Sequence, residues 1–283
     1  MQIPKGITLI TAFLETSAIN WLFNNGFDSQ KTSQLFSSNK LIPVVGMDTI
    51  YELGRYFTTT TPENASSLFN FLKLLKPIYS CQRAMLYNQE LDNLLHGFSV
   101  DPLLGYYSEE ILIERIEQFS LGIFDNMHEE FIAGRQFFWG DCREKVWSPD
   151  KVKQNLNLTF ENYLKYCLLQ IEDNLSILPK WMETLTGKKL SQDNAMLFLK
   201  KLNSFKALRT ALYSQFYLNY LIIRNRAIPS EDKFTDSLQI IGASYFSCIV
   251  SNDKYLLETL APNLNPDIQV FKINSLNIRD AIV

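Results

Sequence analysis

Histidine and closely spaced cysteine are scarce in this sequence. The chain of 283 residues has two histidines and four cysteines, and no two of the cysteines form a C-x-x-C pair. These residues are Cys81, Cys142, Cys167, Cys248, His96 and His128. Because zinc sites and disulfide frameworks need such side chains at short, regular spacing, we predict neither.

Low-complexity composition and a strong excess of charge of one sign are also missing. Glycine and proline number only 11 and 10, and the formal net charge is −3. A charge this close to zero predicts no overall attraction to nucleic acid or to a membrane, although local patches remain possible. With 46% hydrophobic and 20% charged residues, the chain is expected to be globular, with one elaborated domain or two ordinary ones.

No apolar run near the amino terminus is long enough to cross a bilayer. Residues 7–14 (ITLITAFL) are apolar or β-branched, but Glu15 ends the run and no small-residue cleavage site follows. We therefore predict a buried strand here, a cytoplasmic protein and no membrane partner. The sequence also has no P-loop, G-x-G-x-x-G, G-x-S-x-G or H-E-x-x-H motif, which removes several common phosphate-binding and hydrolase sites.

The two ends of the chain alternate between strand and helix patterns, whereas the middle is helical. Strands are predicted at 7–14, 40–46, 78–80, 248–251 and 268–273. Helical spacing covers 18–23, 49–57, 67–76, 236–246 and 254–261, and also most of 81–226, including 109–131, 159–178 and 194–223. The pattern predicts an α/β fold in which residues 1–80 and 227–283 form a parallel sheet flanked by helices, with an all-helical insertion at 81–226.

Acidic residues follow the predicted strands. Glu15 comes after strand 7–14, Glu52 lies in the first turn of the helix after strand 40–46, and Asp253 follows strand 248–251. Asp236 opens the helix that leads into that last strand. Functional residues of parallel sheets gather at the carboxyl ends of the strands, so we expect these four carboxylates to converge within metal-bridging distance.

A cluster of carboxylates needs a compensating charge. Two like charges about 4 Å apart repel by roughly 4 kcal/mol at an effective dielectric constant near 20. Ligands that are all oxygen suit Mg²⁺ or Mn²⁺, and such a centre can activate water against a phosphodiester. Each acid also has a purely structural interpretation. Thr49-x-x-Glu52 fits a capping box, Asp236 a first-turn acid, Asp253 a helix cap and Glu15 a solvated loop residue.

Two segments resemble the motifs of PIN-domain nucleases. FLETSAINWLF (13–23) resembles their opening strand, acid and helix, and DSLQIIGASYFSCIVSNDKYL (236–256) resembles their closing helix, strand and Ser-x-Asp. Glu52 matches the middle glutamate, and the likeness covers roughly 1–80 and 227–275. The first acid of the family is usually aspartate, whereas this chain has the longer Glu15.

The resemblance implies a Mg²⁺- or Mn²⁺-dependent nuclease that cleaves single-stranded RNA or, less often, DNA. It assigns Glu15, Glu52, Asp236 and Asp253 to the catalytic cluster, with Glu15, Asp236 and Asp253 as metal ligands. Ser17 and Ser251 would support the site, and Asp232 is the reserve for Asp236. Two rivals remain: a non-catalytic PIN-like module that mediates assembly, and a phosphatase of the haloacid-dehalogenase type. The phosphatase needs D-x-D after the first strand, where LETSA supplies one acid.

The predicted insertion carries basic and aromatic side chains with two interpretations. They form either a groove with stacking faces for nucleic acid, or a solvated helix face over an aromatic core. The basic residues are Lys188, Lys189, Lys200, Lys201, Arg209, Arg224 and Arg226, and the aromatic ones are Tyr213, Phe216, Tyr217 and Tyr220. A surface for a protein partner or for a second copy of the chain is equally compatible with this pattern.

Overall fold

The computed structural model describes residues 10–54, 61–123, 158–225, 227 and 229–277. Parts of three predicted elements lie outside these ranges, namely residues 7–9, 55–57 and 124–131.

The described chain contains a five-stranded sheet in which all neighbouring strands are parallel. Its strands are β1 (Ile10–Leu14), β2 (Leu41–Gly46), β3 (Ile78–Ser80), β4 (Cys248–Ser251) and β5 (Gln269–Lys272). The order β3-β2-β1-β4-β5 places a strand from each end of the sequence side by side. The predicted α/β class and the single sheet built from both chain ends are thus confirmed.

The central strands are apolar on both faces because helices cover both sides of the sheet. Ala12, Phe13 and Leu14 of β1 are fully buried, and so are Cys248, Ile249 and Val250 of β4. Phe13 pairs with Val44 on one side and with Ile249 on the other. This burial explains why the strands read as continuous hydrophobic runs instead of alternating patterns.

Helices connect the strands and fill the middle of the sequence. They are α1 (Thr16–Asn24), α2 (Ser29–Ser38), α3 (Met47–Leu53), α4 (Pro62–Leu75), α5 (Arg83–His96), α6 (Tyr106–Ser120), α7 (Phe160–Asp173), α8 (Ile177–Thr186), α9 (Gln192–Lys200), α10 (Lys206–Asn225), α11 (Glu231–Gly242) and α12 (Ala261–Leu264). A π-helical turn, Leu256–Leu260, leads into α12, and short 3₁₀ turns occupy Leu202–Ser204 and Ile273–Ser275.

The structure corrects several expectations about the helices. The sequence pattern missed α2, which is rich in serine but buries Thr32, Leu35 and Phe36 and is capped by the Asp28 carboxylate. The continuous pattern 159–178 is divided between α7 and α8, and the pattern 194–223 is divided between α9 and α10. A hydrophobic period continues across such breaks because consecutive helices pack on the same core, so periodicity alone does not locate the turn.

The helical middle of the chain packs on the α/β residues. Leu112, Ile116 and Phe119 of α6 belong to the same hydrophobic cluster as Ala12 and Leu14 of β1. Residues of α5, α9 and α10 form a second cluster with Leu238 and Ile241 of α11. Because the two parts share hydrophobic clusters, the packing does not test the domain boundaries predicted at residues 80 and 227. Within the described residues, none of the helices has the length and apolarity needed to cross a membrane.

Gly46, the last residue of β2, lies against the ring of Phe13. A Cβ atom at this position would approach the Phe13 ring to 2.7 Å and the Ser80 Oγ atom to 3.3 Å. We expect Gly46→Ala to lower the free energy of unfolding by about 1–3 kcal/mol, because the fully buried ring has to shift. Urea denaturation of the purified variant measures this loss.

Gly242, the last residue of α11, offers a matched control on the same ring. Its added Cβ would meet Phe13 at 3.4 Å, an ordinary contact. We expect Gly242→Ala to change stability by less than about 1 kcal/mol, since alanine also favours helix. Equal losses in the two variants would show that the contact with Phe13 is not the cause.

Candidate active site at the carboxyl edge of the sheet

The chain adds strands to one side of β1 first and to its other side later. From β1 the chain moves outward to β2 and β3, and it later returns to β4 on the other side of β1. Such a switch point leaves a crevice beyond the carboxyl ends of the two strands. Glu15 follows β1 directly, and its backbone N–H donates to the Val250 carbonyl of β4 at 3.0 Å. The first predicted acid is thus fixed at the switch point.

The Glu15 side chain is only 4% exposed, so its interpretation as a solvated loop residue is wrong. Its Oε2 atom accepts hydrogen bonds from the hydroxyls of Ser17 and, at 2.8 Å, Ser251. The two hydroxyls are 3.0 Å apart. Both residues predicted to support the site therefore contact Glu15.

The backbone after β4 is tied to the same hydroxyls. The Asn252 N–H donates to Ser17 Oγ, and the Asp253 N–H donates to Ser251 Oγ, each at 2.9 Å. This network joins the start of α1 to the end of β4 and fixes where Asp253 leaves the sheet. Because Asp253 Oδ1 accepts from the Leu256 N–H at 3.0 Å, the capping interpretation of Asp253 is confirmed.

Glu52 lies in the second turn of α3, not in its first turn as predicted, because the helix starts at Met47. No capping box forms. Glu52 Oε2 accepts from Thr16 Oγ1 at 2.7 Å and from Gln239 Nε2 at 2.8 Å, while the Thr49 hydroxyl donates to Gln239 Oε1 at 2.6 Å. Glu52 is therefore held toward α1 and α11.

Gln239 is the residue that the sequence analysis missed. It is fully buried and joins Thr49 and Glu52 of α3 to α11 through its amide group. The available signal was one polar residue among the apolar neighbours of LQII (238–241), since a buried amide must find partners for its polar atoms.

Asp236 lies in the second turn of α11, because that helix begins at Glu231 and not at Asp236 as predicted. Its side chain is 14% exposed, and Asp236 Oδ2 is 3.5 Å from the Lys233 ammonium. The first-turn interpretation of Asp236 is therefore wrong. The reserve acid, Asp232, is exposed one turn earlier.

The four acids interact electrostatically. Burial raises the pKa of Glu15 to about 7, the Glu52 charge adds to the rise, and the Ser17 and Ser251 hydroxyls oppose it. Burial also raises the pKa of Asp236 to about 8, and the nearby charges of Glu15, Glu52 and Asp253 raise it further against the attraction of Lys233. The charges of these acids thus affect one another's pKa at the carboxyl edge of the sheet.

The acids do not, however, form a ready set of metal ligands. Across the ranges that the structure describes, no group of three or more His, Cys, Asp or Glu side chains is arranged to hold a metal ion. The predicted convergence to metal-bridging distance is therefore not seen in these side-chain positions. Their chemistry nevertheless suits a hard divalent cation, because the donors are all oxygen and their mutual repulsion would be relieved by positive charge.

The basic and aromatic residues of the helical region have mostly structural contacts. Tyr217 and Tyr220 are buried in the core beside Phe160, which excludes both as exposed stacking faces. Arg209 is 3% exposed and pairs with Asp267 at 2.6 Å, and Lys188 pairs with Asp92 at 2.8 Å. The interpretation of this region as a groove for nucleic acid gains no support from these residues, and Arg226 lies outside the described ranges.

A cavity of about 820 Å³ lies at the opposite edge of the sheet, where β2 and β3 begin. Its walls include Phe36, Leu41 and Ile78, with Lys40 and Lys76 at the positions where α2 and α4 end. None of the four acids lines it. The large cavity and the acidic edge are therefore separate features.

Comparison of the chain with protein-family models, with curated proteins and with solved structures finds no match. The resemblance to PIN-domain nucleases consequently depends on the sequence motifs alone and stays a prediction.

The length of Glu15 can be tested against these contacts. We expect Glu15→Asp to lower the free energy of unfolding by about 2–4 kcal/mol, because the shorter side chain withdraws its carboxylate from two hydroxyl donors. Glu15→Gln keeps the length and removes the repelled charge, so it should be at least as stable as the wild type at pH 8. Urea denaturation at that pH compares the two variants. Greater stability of Glu15→Asp would contradict a site built around the longer side chain.

Proposed function

We propose that this chain is a metal-dependent nuclease of PIN-like fold, an endoribonuclease that cleaves single-stranded RNA at the carboxyl edge of its sheet. The observation that carries the proposal is the electrostatic interaction of four carboxylates from distant parts of the sequence at the carboxyl edge of the sheet. Burial raises the pKa of Asp236 to about 8, and the charges of Glu15, Glu52 and Asp253 add to the rise. Functional sites commonly contain such repelled groups.

Glu15, Asp236 and Asp253 would hold Mg²⁺ or Mn²⁺, with Glu52 beside them. When bound, the ion supplies Lewis-acid chemistry, because it lowers the pKa of water and neutralises negative charge on the phosphodiester. The chain's own residues position the acids. Ser17 and Ser251 orient the Glu15 carboxylate, while Thr16 and Gln239 orient that of Glu52.

A non-catalytic PIN-like module is the second candidate, and one observation favours it. Each of the four acids already has a partner within the protein. Glu15 and Glu52 accept from hydroxyl and amide groups, Asp253 caps the following helix and Asp236 pairs with Lys233. In this interpretation the acids are structural, and the helical region binds a protein partner or a second copy.

Metal binding separates the two candidates. Isothermal titration of the purified protein with Mn²⁺ should show saturable binding if the nuclease proposal holds, and the Asp236→Asn variant should weaken it. Labelled single-stranded RNA and DNA of one sequence should then be incubated with Mg²⁺, Mn²⁺ or EDTA. Cleavage of RNA only with metal supports the proposal, and cleavage of DNA alone would change the substrate. No Mn²⁺ binding together with no cleavage would favour the non-catalytic module.

A further inference from the structure

Lys233 places a positive charge beside Asp236, at the carboxyl edge of the sheet where the four acids lie. It lies on α11 one turn before Asp236, and its Nζ atom is 3.5 Å from Asp236 Oδ2. The two side chains are only 26% and 14% exposed, so water screens their attraction much less than it would on the open surface.

The ring of Tyr255 contacts this ammonium. Lys233 Nζ lies 3.6 Å from the centroid of the Tyr255 ring, a position in which the negative face of the ring attracts a cation. The Tyr255 hydroxyl is 2.9 Å from the hydroxyl of Tyr217, which is itself 3% exposed. Tyr255, in the segment after β4, therefore contacts the lysine of α11 and is itself positioned by Tyr217 of α10.

Lys254 is the natural comparison, since it follows Asp253 directly. Lys254 pairs with Glu258 at 3.7 Å, and their side chains are 75% and 64% exposed. This pair is an ordinary surface contact on the next helical turn. The charge of Lys233 is held toward the acids, whereas that of Lys254 is not.

We propose that the Lys233 ammonium and a divalent cation are alternative counter-charges for Asp236, so that metal binding displaces Lys233 from this carboxylate. The metal part of this inference rests on the proposed function. In the metal-free protein, Lys233 offsets the repulsion that Asp236 feels from Glu15, Glu52 and Asp253. An incoming cation meets both the positive charge of the lysine and the loss of its ion pair, so Lys233 sets the metal concentration at which the site fills.

Replacement of Lys233 by methionine tests the competition. Lys233→Met keeps an unbranched apolar stem over Tyr255 and removes the charge. We expect the dissociation constant for Mn²⁺, measured by isothermal titration, to fall about tenfold or more. Lys254→Met should change the constant by less than about twofold. Unchanged or weaker binding by Lys233→Met would overturn the proposal while leaving the proposed metal site in place.

A metal-free measurement separates this inference from the nuclease proposal. In EDTA at pH 9, where a carboxyl with a pKa of about 8 is largely ionised, Lys233→Met should lower the melting temperature of the wild type but have much less effect on the Asp236→Asn variant. Equal effects in both backgrounds would show that Lys233 does not neutralise Asp236. If the wild type binds no Mn²⁺ but Lys233→Met does, displacement is supported. If neither protein binds Mn²⁺, both the displacement and the metal-dependent function are wrong. This holds even if the melting temperatures in EDTA show that Lys233 neutralises Asp236.

Discussion

Asp253→Asn should reduce metal-dependent RNA cleavage by at least about a hundredfold, the loss typical when one charge-stabilising group is removed from an active site. Asparagine caps a helix about as well as aspartate, so the hydrogen bond with the Leu256 N–H can persist. The variant thus separates the two roles of Asp253. A rate measurement with labelled single-stranded RNA in Mg²⁺, paired with a thermal melt, records both.

Asp236→Asn should have the same effect on cleavage without a loss of stability. Burial and three neighbouring carboxylates raise the pKa of Asp236 to about 8, so the neutral amide removes repulsion as well as charge. Glu258→Gln provides the control, since that exposed acid pairs with Lys254 at the surface. Undiminished cleavage by both aspartate variants would place the nuclease site elsewhere or trace the activity to a contaminant.

A large loss of stability is expected when Glu90 is replaced. Glu90 is a fully buried acid of α5 that lies away from the proposed site. Its carboxylate accepts from the Ala207 and Leu208 N–H groups at the start of α10, at 2.8 and 2.7 Å, and from the Tyr245 hydroxyl at 2.6 Å. Glu90→Ala leaves three donors without a partner, two of them buried backbone N–H groups. At about 1–3 kcal/mol for each orphaned group, we expect a loss of about 3–5 kcal/mol in the free energy of unfolding, measured with urea.

Tyr245→Phe is the graded control for Glu90, because it removes one donor and leaves the other two hydrogen bonds intact. It should cost about 1 kcal/mol. A Glu90→Ala variant no less stable than Tyr245→Phe would contradict the role of Glu90 in holding the start of α10.

Glu90 also predicts a pH dependence of stability. Burial raises its pKa from 4.5 to about 7, against the three hydrogen bonds that lower it. The folded state therefore binds the proton more tightly than the unfolded state, so the stability from this group is greatest below pH 4.5 and is lost as pH rises toward 7. The stability of the wild type relative to Glu90→Gln should fall by about 3 kcal/mol across this interval. A constant difference in urea titrations from pH 4.5 to 7.5 would contradict the raised pKa.

Strand patterns were the most informative local signals in the sequence. The apolar runs 7–14 and 248–251 predicted buried parallel strands, because a strand covered on both faces has no polar side to expose. Most helices could also be predicted, apart from the serine-rich α2, but helix ends could not. The starts of α3 and α11 lie upstream of the predicted ones, which moved Glu52 and Asp236 out of the first turn.

The sequence by itself determined the alternation of strands and helices, the α/β class, and the placement of Glu15 and Asp253 after two buried strands. Only the tertiary structure decided that β1 and β4 are neighbours, that Gln239 reaches Glu52 and that the Tyr255 ring lies against Lys233. Burial of a strand or helix gives its sequence a regular hydrophobic pattern. The type of element can therefore be predicted from neighbouring residues. Contacts between side chains more than two hundred positions apart, such as Glu15 and Ser251, depend on how strands are ordered in the sheet, and no local pattern encodes that order.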